Sequence, residues 1–237
     1  VAVVDVAFDP RQAAPGDLAV VIDCIRATST IAQALASGYE RVVCVGEIPD
    51  AEAERGAGVV LGGERHGVRI EGFDLGNSPA EYTEARGHTL VLTTTNGTRA
   101  ILQAVGEADG VLVAALTCVG AVAERIAATL PAEGRVGIRC AGVRGDIALD
   151  DAYVAGVLVE RLIALRGDLV PQDGARMALA LTRAYPDAAT ALGDSQSARD
   201  LDGTGLEPDV ARCARVDTLT VVPQVLEAAP GRVVVGV

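Results

Sequence analysis

Asp23-Cys24-Ile25-Arg26-Ala27-Thr28-Ser29-Thr30 follows the apolar run Leu18 to Ile22 and precedes a segment in which Ile31, Ala32, Leu35 and Ala36 share one helical face. The run is short and rich in Val and Ile, as a strand buried on both faces must be. The periodic segment is a helix stopped by Gly38. An acid, a guanidinium and three hydroxyls therefore sit where a strand turns into a helix. Unpaired N–H groups and the helix dipole favour an anion there. The spacing predicts an anion-binding turn, with the hydroxyls at the helix N-cap.

The same design recurs downstream. Thr89 to Thr93 reads as a strand, Thr94-Thr95-Asn96-Gly97-Thr98-Arg99 as a polar turn, and Ile101, Leu102 and Val105 as one face of a helix. A third polar turn, with Arg144 and Asp146, follows the strand Arg135 to Cys140 and leads to a helix opened by Asp150 and Asp151. Further strands are read at Val1 to Phe8, Arg41 to Val45, Val59 to Leu61, Gly110 to Leu116 and Arg232 to Val237. Gly62 to Pro79 reads as one long glycine-rich loop, a kind of segment that is usually functional in a compact domain. Strands alternating with helices predict a three-layer α/β/α fold with a largely parallel, in part mixed, sheet. No low-complexity linker divides the 237 residues, so a single domain is expected, with two related α/β halves hinted at by the repeated turn.

Composition removes whole classes of function. All twenty basic residues are Arg, so no Lys exists for a Walker phosphate loop or a pyridoxal Schiff base. His66 and His88 are the only histidines, too few for a multi-histidine zinc site. Oxygen ligands, and with them Mg²⁺ or Mn²⁺, become the favoured metal chemistry. A net charge of −12 argues against nucleic acid and anionic membranes. No run approaches the roughly 20 apolar residues of a membrane span. The five scattered cysteines suit buried, reduced thiols. With no secretory leader at Val1, a cytoplasmic protein is expected.

In open α/β sheets ligands bind beyond the carboxyl ends of strands. Three such ends here carry Asp23/Arg26/Thr28, Thr95/Asn96/Thr98/Arg99 and Arg144/Asp146/Asp151. This inventory suits phosphate ester hydrolysis, where donors and cations surround a developing charge. A cysteine phosphatase needs an Arg six residues after its nucleophile, and Thr30, Asp50, Glu124, Asp146 and Leu219 occupy those places. An aspartyl phosphatase pattern fails at Asp23 because Ile25 stands where its second acid belongs.

Several ordered blocks sharpen the reading. Asp23-x-x-Arg26-Ala27-Thr28-Ser29-Thr30, Gly63-Glu64-Arg65, Gly72-Phe73-Asp74-Leu75-Gly76-Asn77-Ser78-Pro79, Thr93-Thr94-Thr95-Asn96-Gly97-Thr98 and Cys140-Ala141-Gly142 closely resemble the 2-phosphosulfolactate phosphatase (ComB) family. The resemblance implies that family's own α/β fold. It also implies a Mg²⁺-dependent acid phosphatase acting on (R)-2-phospho-3-sulfolactate, in a reaction of the coenzyme M biosynthesis type. Three positions depart from the family pattern: Cys118, Ser197 within Ser195-x-Ser197-Ala198, and Asp150-Asp151. They keep two alternatives open, a phosphatase for another small phosphorylated 2-hydroxy acid and a non-catalytic anion-binding homologue.

The expected site follows. Asp23 and Glu64 bind Mg²⁺, with Asp146 or Asp151 completing the set, and the metal lowers the pKa of an attacking water. Direct attack by Asp23 is the alternative. The catalytic group is Asp23, Arg26, Glu64 and Asn96. A small phosphorylated anion is held by Arg26, Arg65, Thr28, Ser29 and Thr30 on one side, and by Asn77, Ser78, Thr95, Asn96, Gly97 and Thr98 on the other. Asp150 reads as a first-turn dipole partner, and His66 as a loop hydrogen bonder. The expected partner is a small molecule; a homodimer is left open.

Overall fold

The computed structural model describes Val1 to Val237. Eleven strands form one sheet: β1 (Val3–Ala7), β2 (Gly16–Ile22), β3 (Arg41–Val45), β4 (Val59–Arg65), β5 (Val68–Arg69), β6 (Thr89–Thr93), β7 (Ala108–Ala114), β8 (Arg135–Cys140), β9 (Val170–Pro171), β10 (Gln224–Ala229) and β11 (Arg232–Gly236). Their spatial order is β5-β4-β6-β3-β11-β10-β7-β2-β8-β1-β9. One parallel group is β7-β2-β8-β1-β9, and the other is β4-β6-β3. The C-terminal hairpin β10/β11 lies between them and pairs antiparallel with β7 and β3.

Nine helices flank the sheet: α1 (Ala27–Ala36), α2 (Ile48–Ala53), α3 (Gly97–Ala104), α4 (Val119–Thr129), α5 (Leu149–Leu165), α6 (Asp173–Ala184), α7 (Ala188–Gly193), α8 (Gln196–Arg199) and α9 (Pro208–Cys213). Layering follows from alternation along each strand. Val20 and Ile22 of β2 face a core containing Val4, Ile138, Val154 and Leu158, covered by α4, α5 and α6. Ala19 and Val21 face the opposite core, with Ile31 of α1, Ile101 of α3, and Val42 and Leu90 from the other parallel group. On the far face of that group Val43, Leu61 and Val91 pack with Ala51 of α2. Helices thus cover both faces, the three-layer α/β/α arrangement expected. Because α1 and α3 pack against both groups of strands, the turns that start these two helices are drawn together.

Some boundaries differ from the sequence reading, each for a local reason. β4 does not stop at Leu61 but continues through Glu64 and Arg65, so both residues sit on a strand rather than in a long loop. Gly63 makes this possible: its φ is +148° and a Cβ there would collide with the Thr93 backbone. α1 begins at Ala27, so Thr28, Ser29 and Thr30 lie within its first turn and not at its cap. β7 starts earlier and ends at Ala114, because Leu116–Cys118 curls into a 3-10 turn. Pro79 opens a 3-10 turn, Pro79–Tyr82, whose Ser78 cap accepts from the Ala80 N–H at 3.3 Å.

Candidate active site

The turn after β2 is fastened by its own hydroxyls. Thr28 Oγ1 donates to the Asp23 carbonyl at 2.8 Å and accepts from the Asp23 N–H at 3.2 Å. Ser29 Oγ donates to Cys24 O and Thr30 Oγ1 to Asn77 O, both at 2.8 Å. These three side chains are buried and none lines the main cleft. Their hydrogen bonds are spent on fixing the turn, which leaves the Asp23 carboxylate at the mouth of α1. Asp23 Oδ1 accepts from the Ala27 N–H at 3.2 Å, and the Gly97 N–H also donates to this carboxylate. Gly97 must be glycine for α3 to start here: a Cβ would lie 2.5 Å from the Ala27 Cβ and 2.7 Å from Asp23 Oδ2. Two helix N-termini therefore meet at one carboxylate.

Around Asp23 lies a buried cluster of acids. Glu64, from the end of β4, accepts from the Thr95 N–H on Oε1 and from the Gly67 N–H on Oε2, each at 2.7 Å. Asp151 Oδ1 accepts from the Cys24 N–H at 2.8 Å and Oδ2 from the Gly142 N–H at 2.9 Å, tying together the ends of β2 and β8. Asp150 accepts from the Ile25 N–H at 3.2 Å and from Ser197 Oγ at 2.8 Å. It lies in the first turn of α5, as expected of a dipole partner, and is 1% exposed because α5 presses that turn under the strand ends. Burial, then the charges of Asp150 and Glu64, raise Asp23 from 3.8 to about 7, against the downward pull of two backbone N–H groups. Burial raises Asp150 to about 6, opposed first by the Ser197 hydroxyl. Burial followed by the charges of Asp150 and Asp23 lifts Asp151 well above the ordinary range.

A cleft of about 430 Å³ opens over this cluster. Of the residues singled out from sequence, Asp23, Arg26, Glu64, Asn77, Thr95 and Asn96 line it. Asp151 lies beneath, bonded as described. Gly97 acts through its backbone, and Thr98 Oγ1 turns back to the Thr94 carbonyl at 3.1 Å. Ser78 Oγ donates to Asp209 Oδ1 at 2.7 Å. Arg65 lies outside the lining, its guanidinium donating to Gly46 O and Thr93 Oγ1, both at 2.9 Å. Asp146 is exposed on the turn it closes with Val143, also outside the lining.

Arg26 is buried and its Nη1 pairs with Asp209 Oδ2 at 3.0 Å, while Nη2 donates to Gly67 O at 3.3 Å. Asp209, on α9, was invisible to sequence reasoning because it stands 183 residues from its partner. At the rim, Arg144 pairs with Asp200 at 2.6 Å, and His66 and Ser197 complete the lining. Ser197, noted in the sequence as a departure from the family pattern, thus stands with Asp200 and Leu201 in a wall of the cleft.

Asp23 and Glu64 offer hard oxygen ligands to one cleft and repel each other electrostatically. No group of three or more His, Cys, Asp and Glu side chains converges to hold a metal ion, so neither Asp146 nor Asp151 joins Asp23 and Glu64 as a third ligand. Mg²⁺ is commonly held by one or two carboxylates, phosphate oxygens and water, so an open carboxylate pair fits it, whereas a closed zinc site does not.

A polar cleft at strand ends, with two helix N-termini and perturbed carboxylates, defines an α/β enzyme that handles a small anion. The model of the family described as 2-phosphosulpholactate phosphatase matches residues 7–228. A Thermus thermophilus protein named "Probable 2-phosphosulfolactate phosphatase" is 46% identical over 209 residues, 87% of each chain. Proteins of the same name from Deinococcus radiodurans (41% over 211 residues, 87% of each chain) and Pseudothermotoga lettingae (36% over 226 residues, 94% of this chain and 96% of the relative) are also similar. The chain belongs to the 2-phosphosulfolactate phosphatase family, a family of phosphoric monoester hydrolases. No helix is long and apolar enough to cross a membrane.

Proposed function

We propose that the chain hydrolyses (R)-2-phospho-3-sulfolactate to 3-sulfolactate and phosphate with Mg²⁺, the reaction type of coenzyme M biosynthesis. The observation that carries this reading is the meeting of Asp23 and Glu64 with Arg26 in one cleft, in a chain matched by the family over most of its length. A substrate bearing phosphate, carboxylate and sulfonate cannot enter beside several ionised acids unless positive charge accompanies it. Mg²⁺ held by Asp23 and Glu64 would supply that charge, polarise the phosphoryl oxygens and acidify water.

The chain's own groups do the rest. The N-termini of α1 and α3 direct partial positive charge at the anion. Arg26, pinned by Asp209 through Nη1, presents a fixed cation, which spares the reorganisation a free side chain would need. Glu64 is locked by three donors, Gly67 N–H, Thr95 N–H and Thr95 Oγ1. Asp23, raised to about 7 with no cation beside it, would give up its proton when Mg²⁺ binds and hold the metal as a carboxylate. Asp150 and Asp151 hold the backbone of residues 24, 25 and 142 around it.

Phosphate release from 2-phospho-3-sulfolactate, 2-phospholactate and phosphoglycolate, with and without EDTA, tests the proposal. The expected result is EDTA-sensitive release that is fastest with phosphosulfolactate. A preference for phospholactate would point to another 2-hydroxy acid, and no release from any ester would leave an anion-binding protein.

A further inference from the structure

A second cavity of about 230 Å³ adjoins the main cleft and shares Arg26, Gly67 and Asn77 with it. Its own lining adds Arg69, Gly76, Glu81 and Leu206. Arg69 stands directly opposite Glu64 in the β4/β5 pair, so the two side chains leave the same face of the ladder. Glu64 serves the cleft, and Arg69 serves the side cavity. Arg69 is exposed and forms no ion pair in the chain. Glu81, the acid of this cavity, is engaged by the Gly76 N–H at 3.0 Å through Oε2. Asn77 is 6% exposed, lines both cavities, and its side-chain amide makes no hydrogen bond within the chain, which leaves the Nδ2 donors free. An amide whose N–H donors are unspent where two cavities join is placed to donate to an oxyanion.

We infer that the side cavity is the subsite for a non-reacting acid group of the substrate, held by Arg69, Arg26 and the Asn77 amide. The inference rests on the phosphatase reading and adds the basis of its selectivity. The phosphoryl group lies over Asp23 and Glu64, where the acids are. A sulfonate or carboxylate one or two carbons away turns into the branch that carries the guanidinium groups. Both are planar-faced or tripodal oxyanions that an Arg fork and an amide recognise alike.

The test compares wild type, Arg69→Gln and Arg69→Lys on 2-phospho-3-sulfolactate, 2-phospholactate and p-nitrophenyl phosphate, which carries neither acid group. For Arg69→Gln the ratio of kcat/KM for phosphosulfolactate to that for p-nitrophenyl phosphate is expected to fall about tenfold or more, with Arg69→Lys restoring part of it. A matching fall with phospholactate identifies the group as the carboxylate, and a fall confined to phosphosulfolactate identifies it as the sulfonate. An unchanged ratio overturns the inference. If wild type releases phosphate from none of the esters, the proposed reaction fails, and calorimetric titration with 3-sulfolactate and lactate decides the subsite separately. About tenfold weaker binding to Arg69→Gln supports it; equal affinity, or no binding to wild type, overturns it.

Discussion

Replacing Asp23 by Asn removes a charge that the fold holds at a cost. Asp23 has its pKa raised from 3.8 to about 7 in the folded chain. The native state therefore keeps the proton more tightly than the unfolded chain does. Its contribution to stability is greatest below pH 4 and is lost as pH rises from 3.8 toward about 7. By pH 8 the loss amounts to at most roughly 4 kcal/mol, at about 1.4 kcal/mol per tenfold change. Asparagine is neutral at every pH, but it presents an NH₂ to one of the two backbone donors, Ala27 and Gly97, and forfeits about 1–3 kcal/mol there. The net expectation in metal-free buffer is that Asp23→Asn is more stable than wild type by about 1–3 kcal/mol at pH 8, and equal or less stable at pH 4. A gain of this size corresponds to a melting temperature higher by roughly 2–10 °C for a chain of this length. Urea and thermal unfolding in EDTA across that pH range would read both the difference and its slope. A variant less stable than wild type at pH 8, with the same pH dependence, would refute the charge-strain account.

Other perturbations have separate readouts. Asp209→Ala leaves the buried Arg26 guanidinium unpaired, and should cost about 3–5 kcal/mol in the urea midpoint, with Asp209→Asn milder. Gly97→Ala drives a methyl against Ala27 and Asp23; a loss of about 1–3 kcal/mol, with a large fall in turnover, is expected by melting and by activity assay. Added Mg²⁺ should raise the wild-type melting temperature in proportion to the logarithm of its concentration above Kd, and the rise should vanish in Asp23→Asn and in Glu64→Gln. All five cysteines are buried and burial raises their thiols. A thiol reagent should stay silent on the native chain and label five groups only after unfolding.

The core strands were legible because their constraint is local. Arg41–Val45, Thr89–Thr93 and Arg135–Cys140 match their sequence boundaries, since each is a short run buried on both faces, apolar inside the first two and interrupted in the third by the buried Arg139. β10 left no such trace: four of its six residues are exposed and carry no alternation. The site divides in the same way. Asp23, Arg26, Glu64, Asn77, Thr95 and Asn96 were readable as polar groups punctuating strand ends, and the cleft gathers them. Whether Thr28, Ser29 and Thr30 face a ligand or their own backbone depends on where α1 starts, which sequence leaves undecided by a residue or two. Asp150 has the composition of any first-turn acid; only the docking of α5 under β2 and β8 buries it. Asp209 reaches the site through a contact across the fold and carries no local signal, whereas Ser197 stood out only as a departure from the family pattern, without its bond to Asp150.

If Asp23 works in the proposed Mg²⁺-assisted hydrolysis of 2-phospho-3-sulfolactate, turnover must stop when its charge is removed. Phosphate released by wild type and by Asp23→Asn, each folded as judged by its melting curve, tests this most directly when followed side by side at saturating Mg²⁺. Steady, EDTA-sensitive release by wild type and none above background by the variant are expected. Comparable release by both proteins, or release untouched by EDTA, would contradict that role.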